Sequence, residues 1–254
     1  MKKLLYLFAS SLLVFTSCSN NDNNSLDSAS SILVKKITET ENSLTVSSDV
    51  LYDGNKIISK TESDGFQTKF TYSGNQIVKI EEFDAKGLSK GAIEYAYTNG
   101  LLTSYVEKYD DLYKHKVKYV HNIDGTVSYE QFKVKISTGI EEKYGQTGKL
   151  TFKDGNLIKA ERSYSGSDSV EIYEYDGKNN PLKNVTGVNL LLDDDWANTN
   201  NVIKETRTSG SGSNIYTDVT SFTYKYDTNN YPIEKVAVFS NSNSTSTETT
   251  FYAY

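Results

Sequence analysis

The chain predicts an all-β fold: an antiparallel meander of β-hairpin repeats forming one long twisted or curled sheet. Three observations carry that expectation. An aromatic residue leading into a polar turn recurs along most of the sequence. Residues two apart before each turn are aromatic or β-branched, which is strand periodicity. The composition is rich in one aromatic, with 20 Tyr against one Met and one Trp.

Residues 1–17 read as a lipoprotein signal peptide. Lys2 and Lys3 give a basic start, Leu4 to Phe15 is an apolar run broken only by Ser10 and Ser11, and Thr16-Ser17 precede Cys18. The run is shorter than the roughly 20 apolar residues of a spanning helix. Cys18 is the only cysteine, so no internal disulfide is available. Phe15-Thr16-Ser17-Cys18 resembles the loose bacterial lipobox, ending Ser-Cys, that is common in Bacteroidota. That resemblance implies lipidation at Cys18 and an outer-membrane anchor, on the periplasmic face or the cell surface. Residues 18–31 then form the lipidated cysteine and a tether of Ser, Asn and Asp with little to bury. Losing Lys2 and Lys3 with the leader takes the formal charge from −6 to −8. A nucleic-acid partner does not fit that balance.

Residues 32–254 are expected to form a single β domain. Its turn elements are, in order, Tyr52-Asp53-Gly54-Asn55, Tyr72-Ser73-Gly74-Asn75, Tyr97-Thr98-Asn99-Gly100, a looser Tyr119 to Gly125, Phe152-Lys153-Asp154-Gly155-Asn156, Tyr175-Asp176-Gly177 and Tyr226-Asp227-Thr228-Asn229-Asn230. The first four aromatics are 20, 25 and 22 residues apart, and Phe152 precedes Tyr175 by 23. Such a period marks a repeat protein. An apolar pair follows each turn, as in Ile57-Ile58, Ile77-Val78, Leu101-Leu102 and Leu157-Ile158. Asp-Gly, Ser-Gly and Asn-Gly supply the positive φ of a tight hairpin turn, so each unit is two strands and a turn. An isolated hairpin is marginal in water, and stability must come from its neighbours. Tyr and Phe stacked across strands bury about 150 to 250 Å² each, which suits a thin sheet.

One stretch breaks the period, since Tyr175 and Tyr226 are 51 residues apart. Val188, Leu191 and Leu192 in this gap are spaced for a short helix, so a helical insertion is expected near 184–197. It would cover one end or face of the sheet, with Trp196 packed against it. The alternative makes Trp196 a sugar-stacking platform beside Asp193 and Asp195. Asp193-Asp194-Asp195 lacks the spaced oxygens of a calcium loop and reads as a solvated turn.

Tyr173-Glu174-Tyr175-Asp176-Gly177-Lys178-Asn179-Asn180-Pro181-Leu182 and Tyr224-Lys225-Tyr226-Asp227-Thr228-Asn229-Asn230-Tyr231-Pro232-Ile233 resemble the YD repeat of the RHS family. The chain after the tether is similar to small YD-repeat lipoproteins of Bacteroidota. RHS proteins wrap such repeats into a shell around cargo, and this chain is too short for that.

Residues for chemistry are sparse. His115 and His121, the only histidines, would share a strand face about 20 Å apart, too far to hold one metal together. No metal or other cofactor is implied, and no Ser-His-acid constellation is legible. Glu81-Glu82 and Glu141-Glu142 point to opposite faces of their strands. Lys114, Lys116 and Lys118 point one way and read as a solvated face. Asp27-Ser28-Ala29 and Asp168-Ser169-Val170 resemble the short O-glycosylation signal of exported Bacteroidota proteins. Function is therefore expected to be non-catalytic: an envelope lipoprotein acting as a protein-interaction or scaffolding module. The alternative is a polysaccharide-binding accessory protein for nutrient capture, and a hydrolase is disfavoured. An interaction module predicts a free sheet edge or an exposed apolar patch. Glycan capture predicts Tyr or Trp196 in a groove with carboxylates and amides alongside.

Overall fold

Asp53-Gly54, Ser73-Gly74, Asn99-Gly100 and Asp154-Gly155 each sit where two antiparallel strands reverse direction. At Asn99-Gly100 and Asp154-Gly155 both residues have positive φ, 52° and 84° in the first, 52° and 76° in the second. That geometry matches the right-handed twist of the flanking strands. In the computed structural model, which describes residues 31–192, 197–211, 214–240 and 245–254, the hairpins join into a ring of sixteen strands. The first half of the ring comprises β1 (Lys36–Glu41), β2 (Leu44–Asp53), β3 (Lys56–Glu62), β4 (Gln67–Ser73), β5 (Gln76–Phe83), β6 (Ser89–Thr98), β7 (Leu101–Lys108) and β8 (Tyr113–His121). The second half comprises β9 (Val127–Lys135), β10 (Glu141–Lys153), β11 (Asn156–Tyr164), β12 (Ser167–Tyr175), β13 (Val202–Ser211), β14 (Asn214–Tyr226), β15 (Pro232–Ser240) and β16 (Thr245–Ala253). Each strand pairs with the next, and β16 pairs with β1 from Ala253 opposite Lys36 to Glu248 opposite Glu41.

The expected YD-repeat, RHS-like sheet is thus corrected to a closed antiparallel barrel. The local period encodes hairpins correctly, but closure is a property of the whole sheet. Twisted sheets rarely exceed about 10 strands without curling, and sixteen strands curl until the edges meet. The expected helical insertion near 184–197 is corrected as well. Among its described residues the only helical element is a single 3-10 turn, Val188–Leu190, entered through Gly187 at φ 81°.

Inward and outward positions alternate along each strand, with a bulge at the end of the barrel where β2, β4, β6, β10, β12 and β14 hand over to the next strand. Tyr52 faces Ile57 while Leu51 faces Ser59, so Ile58 is the extra residue. The same shift makes Val78, Thr103, Ile158, Ile203 and Ile233 extra residues. The bulge therefore splits Ile57-Ile58, Ile77-Val78 and Leu157-Ile158, with the first residue in the core and its neighbour turned away from it, whereas Leu101-Leu102 is divided by ordinary alternation. A bulge leaves ladder groups without partners, and the recurrent tyrosine supplies one. Tyr97 Oη donates to the carbonyl of Ile77 at 2.8 Å, Tyr175 to Leu157 at 2.6 Å, Tyr224 to Val202 at 2.8 Å and Tyr254 to Pro232 at 3.0 Å. In the looser unit His121 takes this place, with Nε2 donating to the Leu102 carbonyl at 2.9 Å.

The turns after β2, β4, β6, β8, β10 and β14 lie at one end of the barrel, together with Ser31 and Tyr254. The connection after β12 crosses this end. Asn179 N–H donates to the Asn230 carbonyl at 3.0 Å, and Thr186 N–H donates to the Asn55 carbonyl at 2.9 Å. Asn184 Nδ2 reaches the Ile32 carbonyl at 3.0 Å. Between these anchors Val185, Val188 and Leu191 are buried against Ile57, Phe70 and Ile77. A second cluster, Val117, Val127, Tyr129, Leu150, Leu157, Ala160 and Tyr173, lines the opposite wall, with Leu192 packed against it. One end of the barrel is thus plugged, and the interior towards the other end remains as a recess.

Candidate functional site

The recess starts from a tyrosine wall. Strand alternation turns Tyr95, Tyr105, Tyr119 and Tyr129 of β6 to β9 inward at successive positions. Their ring centroids follow one another at 6.1, 6.3 and 6.3 Å. These spacings and tilted planes fall in the favourable range for aromatic pairs. Gly148 completes the wall, because a Cβ there would lie 2.6 Å from the Tyr129 ring. Beside the tyrosines, His115 Nδ1 is 2.8 Å from Glu107 Oε1.

Opposite stands the charged centre of the barrel. Glu171 is buried and faces Arg207 across the β12–β13 ladder. Arg162, diagonal to it on β11, places Nη1 on Glu171 Oε2, and Arg207 Nε lies 3.4 Å from Oε1. Tyr173 Oη donates to Oε2 at 2.8 Å. Arg162 and Arg207 are the only arginines of the chain; every other cationic side chain is lysine. A guanidinium presents several donors in a fixed fork and stays charged, which suits a partly dehydrated site better than an ammonium does. Three connected parts of the recess measure about 250, 380 and 260 Å³. Arg162 lines the first two, and Val202 and Phe222 line the last two. The second of them falls in the size range of small-molecule sites, roughly 300 to 1,000 Å³.

The outer wall has the opposite character to a lipid-facing surface. Outward positions along the strands carry ion pairs: Lys79 with Glu81 at 2.7 Å, Lys116 with Glu141 at 2.7 Å, Lys159 with Glu161 at 2.8 Å and Lys204 with Glu174 at 3.0 Å. Barrels that cross a bilayer carry an apolar band about 25 Å tall on this face, and a lysine at the midplane costs about 2 to 4 kcal/mol.

The fold has known counterparts. A porin-like protein from Bacteroides vulgatus is similar over 88% of this chain and 99% of its own, with a TM-score of 0.57 and 18% identity. A porin-like protein from Bacteroides uniformis is similar over 87% and 96%, with a TM-score of 0.53 and 11% identity. No family model matches the chain, and no curated protein does. At these identities the likeness establishes the barrel architecture. It also replaces the YD-repeat assignment.

Among the residues expected to carry function, Cys18, Trp196, Asp193 and Asp195 lie outside the described residues, as does Asp27. His115 and His121 both face inward on β8, His115 towards Glu107 and His121 towards the Leu102 carbonyl. Among the described residues no group of three His, Cys, Asp or Glu side chains is placed to hold a metal ion. Lys116 and Lys118 both contact Glu141 on the outer wall. Glu81 and Glu82 face opposite sides of the sheet, as do Glu141 and Glu142. Ser169 of the second glycosylation-like triplet faces the interior, next to Arg162. The Arg162, Glu171 and Arg207 centre was missed in the sequence, although the restriction of arginine to two positions was there to be noticed.

Proposed function

We propose that the chain is a water-surrounded, non-conducting barrel, tethered to the outer membrane through a lipid on Cys18, whose recess binds a short saccharide or a similar polar ligand. The observation that carries this reading is the ring of ion pairs on the outer wall, which favours water over lipid on that surface. A barrel of sixteen strands leaves an aqueous channel unless something fills it. Here the segment around Val185, Val188 and Leu191 occupies one end. The likeness to porin-like barrels supports the envelope location and leaves the transport role to those proteins.

The recess supports the binding half of the proposal. Tyrosine faces give apolar contact at low entropic cost, and Glu107, Gln131, Gln146 and Arg162 stand beside them as hydrogen-bonding partners. Such a mixture suits sugar rings with their apolar faces and hydroxyl edges. The scaffolding alternative loses one of its two supports, because the described strands leave no free sheet edge for strand addition. Both histidines are engaged in structural contacts, which favours a non-catalytic role.

The test pairs conductance with ligand screening. In planar bilayers the protein is expected to give no discrete channel openings, and stable openings would overturn the water-surrounded reading. A thermal-shift screen of soluble oligosaccharides should raise the melting temperature of the parent but not of Tyr105→Ala. A panel without any such shift would remove the saccharide.

A further inference from the structure

We infer that the plugged end of the barrel rests on the lipid surface through a rim of outward aliphatic residues, leaving the recess mouth facing away from the membrane. The inference rests on the lipid-anchor reading above. Its starting point is the split apolar pair. At the bulges, Ile58, Ile203 and Ile233 are turned to the outer wall and stay exposed. Leu51, Val120 and Phe251 point outward at the same level of the wall and are 60, 60 and 46% exposed. Five of these positions lie on one arc of the wall, from β13 through β15, β16 and β2 to β3, and Val120 adds one on β8. The bulge recurs because the hairpin unit recurs, and it sets Ile58, Ile203 and Ile233 at one height, whereas β7 carries Thr103 there.

An exposed aliphatic arc at one height needs an occupant, and the chain itself indicates which. Ser31 emerges at this end, held by Asn55 Nδ2 at 2.8 Å from its Oγ, and Val34 beyond it is fully buried. Thirty residues precede it. The dozen residues between Cys18 and Ser31 reach on the order of 40 Å even when fully extended, at about 3.3 to 3.6 Å each. A lipid on Cys18 therefore holds this end near the bilayer, where outward Ile, Leu and Phe can enter the interfacial region. The mouth turns also carry aliphatics, Leu88 and Leu112 among them, but no tether leads from that end.

The test uses hydroxyl-radical footprinting of the full chain, produced with its leader and reconstituted in vesicles of phosphatidylethanolamine and phosphatidylglycerol. Cys18→Ala protein in solution is the reference, and Ile215, exposed at the far end of β14 from the rim, is the internal control. Wild-type protein is expected to float with the vesicles and to show oxidation at Ile58, Ile203 and Ile233 reduced several-fold relative to Ile215. The triple variant Ile58→Glu, Ile203→Glu, Ile233→Glu should still float while Leu51 and Phe251 regain free oxidation. Flotation without rim protection, or with protection at Leu88 and Leu112 instead, overturns the rim and leaves the anchor standing. Failure of wild type to float removes the anchor, and the rim with it.

Discussion

The hydroxyl of Tyr97 illustrates what a single recurrent residue does in this barrel. Its donation to the Ile77 carbonyl satisfies an acceptor beside a bulge, and Phe in its place would keep the ring and orphan that carbonyl. Tyr97→Phe is therefore expected to lower unfolding stability by about 1 to 3 kcal/mol, measured by urea melts, whereas Tyr164→Phe at an exposed position should change little. The hydroxyls of Tyr97 and Tyr72 are also pushed up from 10.0 to about 12, first by burial. The folded state holds these protons more tightly than the unfolded chain does. Their contribution is complete below pH 10 and is lost as pH rises through about 12. Urea midpoints should fall across that window, and Tyr97→Phe should flatten the fall. Glu171 offers a second contrast. Its buried carboxylate serves two guanidiniums, so Glu171→Ala should cost several kcal/mol, in the range of about 3 to 5 for a broken buried pair. Arg207→Ala, with that side chain half exposed, should cost clearly less in the same melts.

Among the elements, the hairpins were legible because every requirement for a hairpin is local. Turn residues with positive φ, alternation before the turn and an apolar pair after it all lie within one window of sequence. The bulge was not legible, since Ile57-Ile58 reads equally well as two inward residues or as one of each. Only the pairing of Tyr52 with Ile57 and Leu51 with Ser59 decides it. The plug was legible as a break in the period but not as an object inside a barrel. Its Val188, Leu191 and Leu192 spacing suggests an α-helix, whereas the structure places a single 3-10 turn there and uses tertiary anchors at Asn55 and Ile32 to hold it. The burial of Val188 at 1% exposure makes the plug sensitive to charge. Val188→Asp is expected to destabilise the protein by at least about 2 kcal/mol, the lower range for burying an uncompensated polar group, and to raise solvent exchange in the β4 and β5 amides before that of β12 and β13.

For the molecule as a whole, closure was the property hidden from the sequence. Nothing near Lys36 announces Ala253 as its partner. The function reading was partly hidden for the same reason: alternation shows that a strand has two faces, but only closure shows that one of them encloses a recess. Lys114, Lys116 and Lys118, expected on a solvated face, do lie outward, while Arg162, Glu171 and Arg207 lie on the enclosed side. Exposed ion pairs contribute about 0 to 1 kcal/mol, so Glu161→Gln, which removes one such partner from Lys159, should leave the unfolding midpoint nearly unchanged.

The pairing of Lys36 with Ala253 also has a meaning in time. The first strand made must wait for the last one, with nearly the whole chain between them. Contacts so distant in sequence slow folding. Until β16 arrives, β1 stays an unpaired edge open to any other strand that drifts past. Removing residues 245–254 would hold the molecule in that waiting state, soluble only as long as a chaperone keeps the seam from being sewn to a second copy.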